Sequence, residues 1–294
     1  MVTVAKKRIG TRDYFYLQHS VRRGERVTKR EIYLGPRIPK DVNERKRTFA
    51  LGLFRDEWLL RADRIQQRFL RSVRGTPRTL AAKELETFAV RFTYDTQRIE
   101  GSTMSLRETA DLLERGVTPA GKPIQDVKEA EAHKAVFDEV VRTDKDLNRQ
   151  LVLLWHRKLF AATKPDIAGQ FRRHGVGISG GRFVPPTPVE VEPLMRDFFA
   201  WVERTKTTMH PLERAALVHL KFVTIHPFAD GNGRMSRLLM NSVLNRARFP
   251  LFNIPYTGRA GYYRSLERSQ TSDDELPFLR WLAKKYVQAH RRFL

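Results

Sequence analysis

The chain has no cysteine. Disulfides, thiolate-bound zinc and thiol nucleophiles are therefore excluded, and a reducing, cytoplasmic setting is expected. Its 294 residues contain no apolar run long enough to cross a bilayer, so no membrane partner is expected. The first ten residues are basic but lack an apolar segment, so no signal peptide is expected. No internal repeat or low-complexity tract is visible. Acidic residues are in deficit: 33 Asp and Glu stand against 55 Lys and Arg, a net charge of +22. Such an excess favours polyanions, whether nucleic acid, nucleotides, acidic proteins or anionic membranes. Genome bias or life at high temperature produces the same composition. What is present, 41% hydrophobic and 30% charged residues, describes a globular chain able to bury a core as one large domain or two smaller ones.

The charge is uneven. Residues 1–47 hold 14 Lys and Arg against 5 Asp and Glu. Residues 2–5, 14–19 and 29–34 are rich in β-branched and aromatic types, with turn-like breaks at 10–13 and 23–25. The pattern predicts a small three-stranded antiparallel module over 1–40, ended by Gly35-Pro36 and Pro39. Tyr14, Phe15, Tyr16 and Tyr33 interleave with the basic residues, as in sheets that bind nucleic acid; a solvated basic face is the plainer alternative.

From residue 41 onward the period is helical. One long helix or two are expected over 41–74, stopped by Gly75-Thr76-Pro77. Further helices are expected over 80–99, 105–113, 125–142, 147–162, 189–204, 211–225, 235–247 and 278–286. Ser105 and Glu108 form a capping-box pattern. His133 and His156 lack ligand-spaced partners and are read as structural or surface residues.

The most informative stretch is His226-Pro-Phe-Ala-Asp-Gly-Asn-Gly-Arg-Met-Ser-Arg237. Gly231, Asn232 and Gly233 tolerate left-handed backbone, so successive N–H groups can converge on one point at a helix N-terminus. That is an anion site. Arg234 and Arg237 share a face of the following helix and add two guanidiniums, the makings of a polyphosphate site. Asp230 is placed to hold Mg²⁺ between phosphate oxygens, and His226 to take a proton from an attacking hydroxyl.

This string fills all nine fixed positions of H-P-F-x-[D/E]-G-N-G-R-x-x-R and so resembles the signature of the Fic family. Thr96-Gln-Arg-Ile-Glu100-Gly101 resembles the family's inhibitory motif, which implies that Glu100 pairs with Arg237 and withholds it from the γ-phosphate. The segment Val176-Gly177-Ile178, then Ser179-Gly-Gly181, then Arg182-Phe183-Val184 reads as a hairpin with a glycine turn. In the family such a flap pairs with the target segment by strand addition. Residues 260–266 resemble a Tyr-Tyr-x-x-Leu segment near the nucleobase, where Tyr262 or Tyr263 would stack on adenine.

The resemblance implies a mainly helical Fic core with a β-hairpin flap. With the N-terminal module the fold class is mainly α (α+β), divided as 1–40 β module, 41–100 helical linker and inhibitory helix, and 101–294 catalytic core. It implies transfer of AMP from ATP, with Mg²⁺, to a Ser, Thr or Tyr hydroxyl of a target protein, releasing pyrophosphate. His226 would be the base, Asp230 the metal ligand, Gly231 to Gly233 the nest, and Arg234 and Arg237 the phosphate ligands. Three rivals stand beside it: AMP removal using Glu100, a UMP transferase, and a nucleic-acid-binding regulator acting through the N-terminal module. Proteins of this layout often self-associate, so a homo-oligomer is a further expectation.

Overall fold

The computed structural model describes residues 2–23, 26–178 and 180–294. The chain divides into two compact units, Met1–Leu60 and Arg61–Leu294.

The first unit carries β1 (Thr3–Ile9), β2 (Arg12–Arg23) and β3 (Arg26–Gly35), an antiparallel sheet in the order β1-β2-β3. The meander expected over 1–40 is present, with longer strands. A register irregularity between Phe15 and Tyr16 separates two stretches of pairing. Side chains alternate across the pleat. Leu17 and Leu34 are buried, while Tyr14, Tyr16 and Tyr33 cluster, with ring centroids 6.1 and 5.2 Å from Tyr33. Lys7 lies 4.6 Å over the Tyr16 ring and pairs with Glu31 at 2.5 Å, so the lysine on this tyrosine cluster is already neutralised. The start of helix α1 (Val42–Gly75) adds buried Ala50, Leu53 and Phe54. α1 is one unbroken helix, because no proline interrupts it before Pro77.

The second unit is helical. Its elements are α2 (Arg78–Ile99), α3 (Leu106–Arg115), α4 (Ile124–Arg142), α5 (Arg149–Phe160), α6 (Pro188–Arg204), α7 (Pro211–Ile225), α8 (Asn232–Arg246), α9 (Arg259–Ser272) and α10 (Leu276–Ala289). The capping box at Ser105 and Glu108 forms as expected, and a second closes on Thr187 and Glu190. α7 and α8 make the centre. α8 is buried almost all round, from Asn232 to Leu244, which is the signature of a helix enclosed by others. Its apolar side chains Met235, Leu238, Leu239 and Met240 fill the core with Phe222, Phe252 and Phe278. α4 and α5 close one side through Val136, Phe137, Val152 and Trp155.

The flap differs from expectation. Among the described residues, 176–178 and 182–184 form no ladder; Ser179 lies outside the described residues. What remains is a turn, in which Gly181 N–H donates to the Ile178 carbonyl at 3.0 Å and Gly180 adopts a φ of 72°. Three residues a side give few backbone bonds to offset chain ordering. One donor is also diverted, since Arg182 N–H binds the Glu267 carboxylate at 3.0 Å.

Candidate active site

α7 ends at His226, whose backbone is left-handed (φ 52°, ψ 56°). Pro227 cannot continue the helical ladder, so the chain must turn here. Asn232 shapes the loop that follows: its Oδ1 accepts the Phe228 N–H at 2.9 Å and its Nδ2 donates to the Phe228 carbonyl at 2.8 Å. The His156 ring stacks on Phe228 with centroids 3.6 Å apart. His156 Nδ1 accepts the Gly169 N–H at 2.9 Å, which leaves Nε2 as the protonated nitrogen, donating to the Asp230 carbonyl at 3.0 Å. Burial lowers this imidazole to about 4, so it stays a neutral strut.

Gly231 caps α8 with a φ of 79°, and a Cβ at that position would overlap the Phe160 ring. Gly231→Ala is expected to cost about 2–5 kcal/mol, from left-handed strain plus overpacking. Thermal unfolding checks it; an unchanged melting temperature would mean the ring yields freely.

The expected anion site is already filled. Glu100, the last residue of the α2 turn, places its carboxylate against Gly233, where any Cβ would collide with Oε1. It thus stands at the positive end of α8. Glu100 Oε1 also accepts from Arg237 Nη2 at 2.5 Å. Arg237 is 1% exposed and its other donors are engaged: Nε to Thr96 Oγ1 at 3.2 Å, Nη2 to the Thr96 carbonyl at 3.4 Å, Nη1 to Tyr262 OH at 3.5 Å. Thr96 and Glu100 therefore grip one guanidinium, four residues apart on one face of α2. Gly101, with a φ of 103°, closes the helix in a Schellman arrangement: Gly101 N–H reaches the Arg98 carbonyl and Ser102 N–H the Gln97 carbonyl.

The two arginines part company. Arg234 is 3% exposed. It binds the Glu129 carboxylate and donates to Asp230 Oδ1 at 3.1 Å, with its guanidinium 4.5 Å over the Phe160 ring. Each guanidinium of the expected polyphosphate site therefore has a carboxylate partner, Glu129 on the buried stripe of α4 for Arg234 and Glu100 for Arg237.

Asp230 is held from both sides. Oδ1 accepts from Gly231 N–H at 2.5 Å, and Oδ2 from Lys164 Nζ at 2.5 Å. Burial pushes its carboxyl up, but Arg234, Lys164 and the Gly231 N–H outweigh burial and hold it at about 2. Asp230 therefore stays a carboxylate. Among the described residues no three His, Cys, Asp or Glu cluster to hold a metal. A lone, ionised oxygen donor beside an anion nest fits Mg²⁺ that takes its other ligands from phosphate and water.

His226 is poised as a base. Its Nδ1–H donates to the Val223 carbonyl at 3.1 Å, so the lone pair resides on Nε2. Burial, with the Arg172 charge, lowers its affinity for a proton despite the Val223 carbonyl, Glu100 and Asp230. Arg172 lies behind it, buried, donating Nε to the His226 carbonyl at 2.7 Å, Nη1 to the His174 carbonyl at 3.1 Å and Nη2 to the Pro186 carbonyl at 2.6 Å. It joins both ends of the flap to the backbone of His226.

Of the two tyrosines expected near the nucleobase, Tyr262 is corrected. It is 1% exposed, packed against Trp281 and Phe278, and its hydroxyl lies 3.0 Å from His219 Nε2. Burial raises the phenol to about 12, so it remains a neutral support for Arg237. Tyr263 is 47% exposed and anchors to the Ile99 carbonyl at 3.1 Å, leaving ring surface free for a ligand. In the flap, Val184 is exposed, as is Gly177, while Val176, Ile178 and Phe183 are half-buried.

Comparison with known proteins places this geometry. Residues 146–244 match the Fic/DOC family. The chain is similar to the protein adenylyltransferase fic-1 of Caenorhabditis elegans, 34% identical over 69% of this chain and 41% of that protein. It is also similar to the protein adenylyltransferase Fic of Nematostella vectensis, 32% identical over 92% of this chain and 64% of that one. The chain thus spans about half the length of these curated relatives. Among solved structures, residues 134–508 of Fic-1 from C. elegans superpose with a TM-score of 0.72 at 29% identity, covering 86% of this chain and 74% of that one. The match takes in α5 to α8, the signature and the helices around it, and the chain belongs to the Fic/DOC family.

Proposed function

We propose that the chain is an auto-inhibited protein adenylyltransferase, which moves AMP from ATP to a hydroxyl of a target protein. One observation carries the reading: the Glu100 carboxylate occupies the head of α8 and pairs with Arg237, where a phosphate of ATP would otherwise sit. The activity named for the curated relatives supports it.

With Glu100 withdrawn, the α8 N–H groups and Arg237 face the β- and γ-phosphates, and Tyr263 faces the base. His226 Nε2 accepts the proton of the target hydroxyl as its oxygen attacks the α-phosphorus. The new P–O bond forms as the α–β bridge breaks, and pyrophosphate leaves with the electron pair. Mg²⁺ on Asp230, when bound, supplies charge neutralisation between phosphates. Arg234 acts at one remove, by holding Asp230 and Glu129 in place. The remaining work is positioning and preorganised charge. The flap turn, with exposed Val184, receives the target segment.

ATP labelled at the α-phosphate should leave label on protein and ATP labelled at the γ-phosphate should not. Label from the γ position would replace AMP transfer with phosphorylation. The pH profile follows from His226. Its neutral form is the base, and its pKa lies below 6.5, so transfer should be flat above neutrality and fall on acidification through a midpoint below 6.5. Removing Glu100 removes a charge that raises His226, so the midpoint of the released enzyme should lie lower still. A midpoint at or above 6.5 would remove His226 as the titrating base.

A second reading has one observation behind it. Glu100 is near enough to His226 to raise its proton affinity. A carboxylate so placed can orient a water for AMP removal, and release of AMP from a pre-modified target tests that activity.

A further inference from the structure

Lys164 belongs to none of the motifs of the site, yet it touches the carboxylate assigned to the metal. It ends the turn that follows α5, where its N–H donates to the Phe160 carbonyl at 2.8 Å. From there Nζ reaches Asp230 Oδ2 at 2.5 Å and Glu129 Oε1 at 3.1 Å. Glu129 Oε1 also accepts from Thr163 Oγ1 at 3.2 Å, and its Oε2 binds Arg234. Asp230 Oδ1 is taken by Gly231 N–H and Arg234. Two carboxylates and two cations thus form a closed, neutral square. Its cations are not equivalent. The Arg234 side chain is 4% exposed and clamped, whereas that of Lys164 is 32% exposed on a flexible stem.

We propose that Lys164 is a built-in counter-cation at the metal face of Asp230, which a divalent ion must displace, so that metal enters with nucleotide rather than alone. The inference rests on the assignment of Asp230 above. The steric argument is direct. Magnesium binds carboxylate oxygen at about 2.0–2.1 Å, and an ammonium 2.5 Å from the same Oδ2 fills that side of the oxygen. The electrostatic argument points the same way. With Lys164 in place the square has no net charge, so a bare cation gains little by approaching it. A polyphosphate arriving at the α8 nest brings negative charge of its own. It attracts both the ammonium and the metal, and frees Oδ2 for the latter. Lys164 is in this sense a positioning residue that couples metal to nucleotide.

The experiment measures Mn²⁺ binding to the full chain, by calorimetry or by the spectrum of the free ion, with no nucleotide present. Wild type should bind weakly. Lys164→Met leaves one uncompensated carboxylate and should bind Mn²⁺ at least tenfold more tightly, a gain that Asp230→Asn in the same background removes. A non-hydrolysable ATP analogue should strengthen Mn²⁺ binding strongly in wild type and much less in Lys164→Met. Lys164→Arg, which keeps the charge and is the control should Lys164→Met fold poorly, should behave as wild type. Equal Mn²⁺ affinity in Lys164→Met and wild type overturns the proposal, as does a gain that survives Asp230→Asn. Label transfer that persists while the metal gain fails removes this inference alone. A metal gain without any label transfer removes the proposed activity alone.

Discussion

Glu100→Gly is expected to raise self-labelling with AMP by about 10- to 100-fold. The estimate is the worth of a charge-assisted hydrogen bond, about 1.5–3 kcal/mol, converted to a rate or occupancy ratio. The physical case is competition between two anions for one seat. The Glu100 carboxylate lies against Gly233 at the head of α8 and pairs with the Arg237 guanidinium, and on the proposed reading a triphosphate needs both places. Removing the carboxylate leaves Arg237 still supported by Thr96 and Tyr262, so its geometry survives while its charge is uncompensated. Such a protein should be less stable than wild type without ligand, and ATP should raise its melting temperature by more than it raises that of wild type. Glu100→Gln keeps the shape and loses the charge, and should fall between the two. Labelling of Glu100→Gly no faster than wild type would sink the inhibitory assignment.

His226→Ala in the Glu100→Gly background should remove about 10²- to 10⁴-fold of the transfer rate, the usual worth of a placed general base, with ATP affinity unchanged. The separation is geometric. On the proposed reading the α8 head and Arg237 hold the phosphates, whereas the Val223 carbonyl fixes the His226 ring through Nδ1 and leaves the lone pair on Nε2. Because His226 sits in the left-handed region, Asn is the second substitution to make, since it tolerates that backbone. Loss of transfer in both variants, with ATP binding intact, separates lost chemistry from a disturbed turn. Transfer that survives in either would displace His226 from its role.

What could be read from the sequence was what lay close together in it. The signature occupies twelve consecutive residues, so its turn and helix start were legible from local backbone preference, although of Gly231, Asn232 and Gly233 only Gly231 adopts the left-handed backbone and the other two open α8. Thr96 and Glu100 were legible through the resemblance to the inhibitory motif, with which their four-residue spacing on one helix face agrees. The partners that complete the site come from far along the chain. Glu129 is 105 residues from Arg234 and Lys164 is 66 from Asp230. Neither carries a local pattern of its own. A faint signal existed for Glu129: it falls on the stripe of Val127, Ala130, His133, Phe137 and Val140 that buries α4, and a carboxylate there requires a cation. Arg172 gave none, because it acts through backbone carbonyls, which every residue possesses. Tyr262 and Tyr263 could not be told apart either, since adjacent helix positions differ in facing only once the neighbours are known. The flap was over-read, because alternation with a glycine turn predicts a hairpin only when enough rungs are available to hold it.

Arg172 has a mechanical consequence. By binding the carbonyls of His174 and Pro186 together with that of His226, it staples the two roots of the flap to the same point. The flap therefore cannot swing as a lid on a hinge. On the proposed reading the position of His226 is therefore independent of which target segment the flap receives. Lengthening the tip between 175 and 185 would change which clients fit without retuning the chemistry. Cutting the staple would spoil alignment for all of them alike.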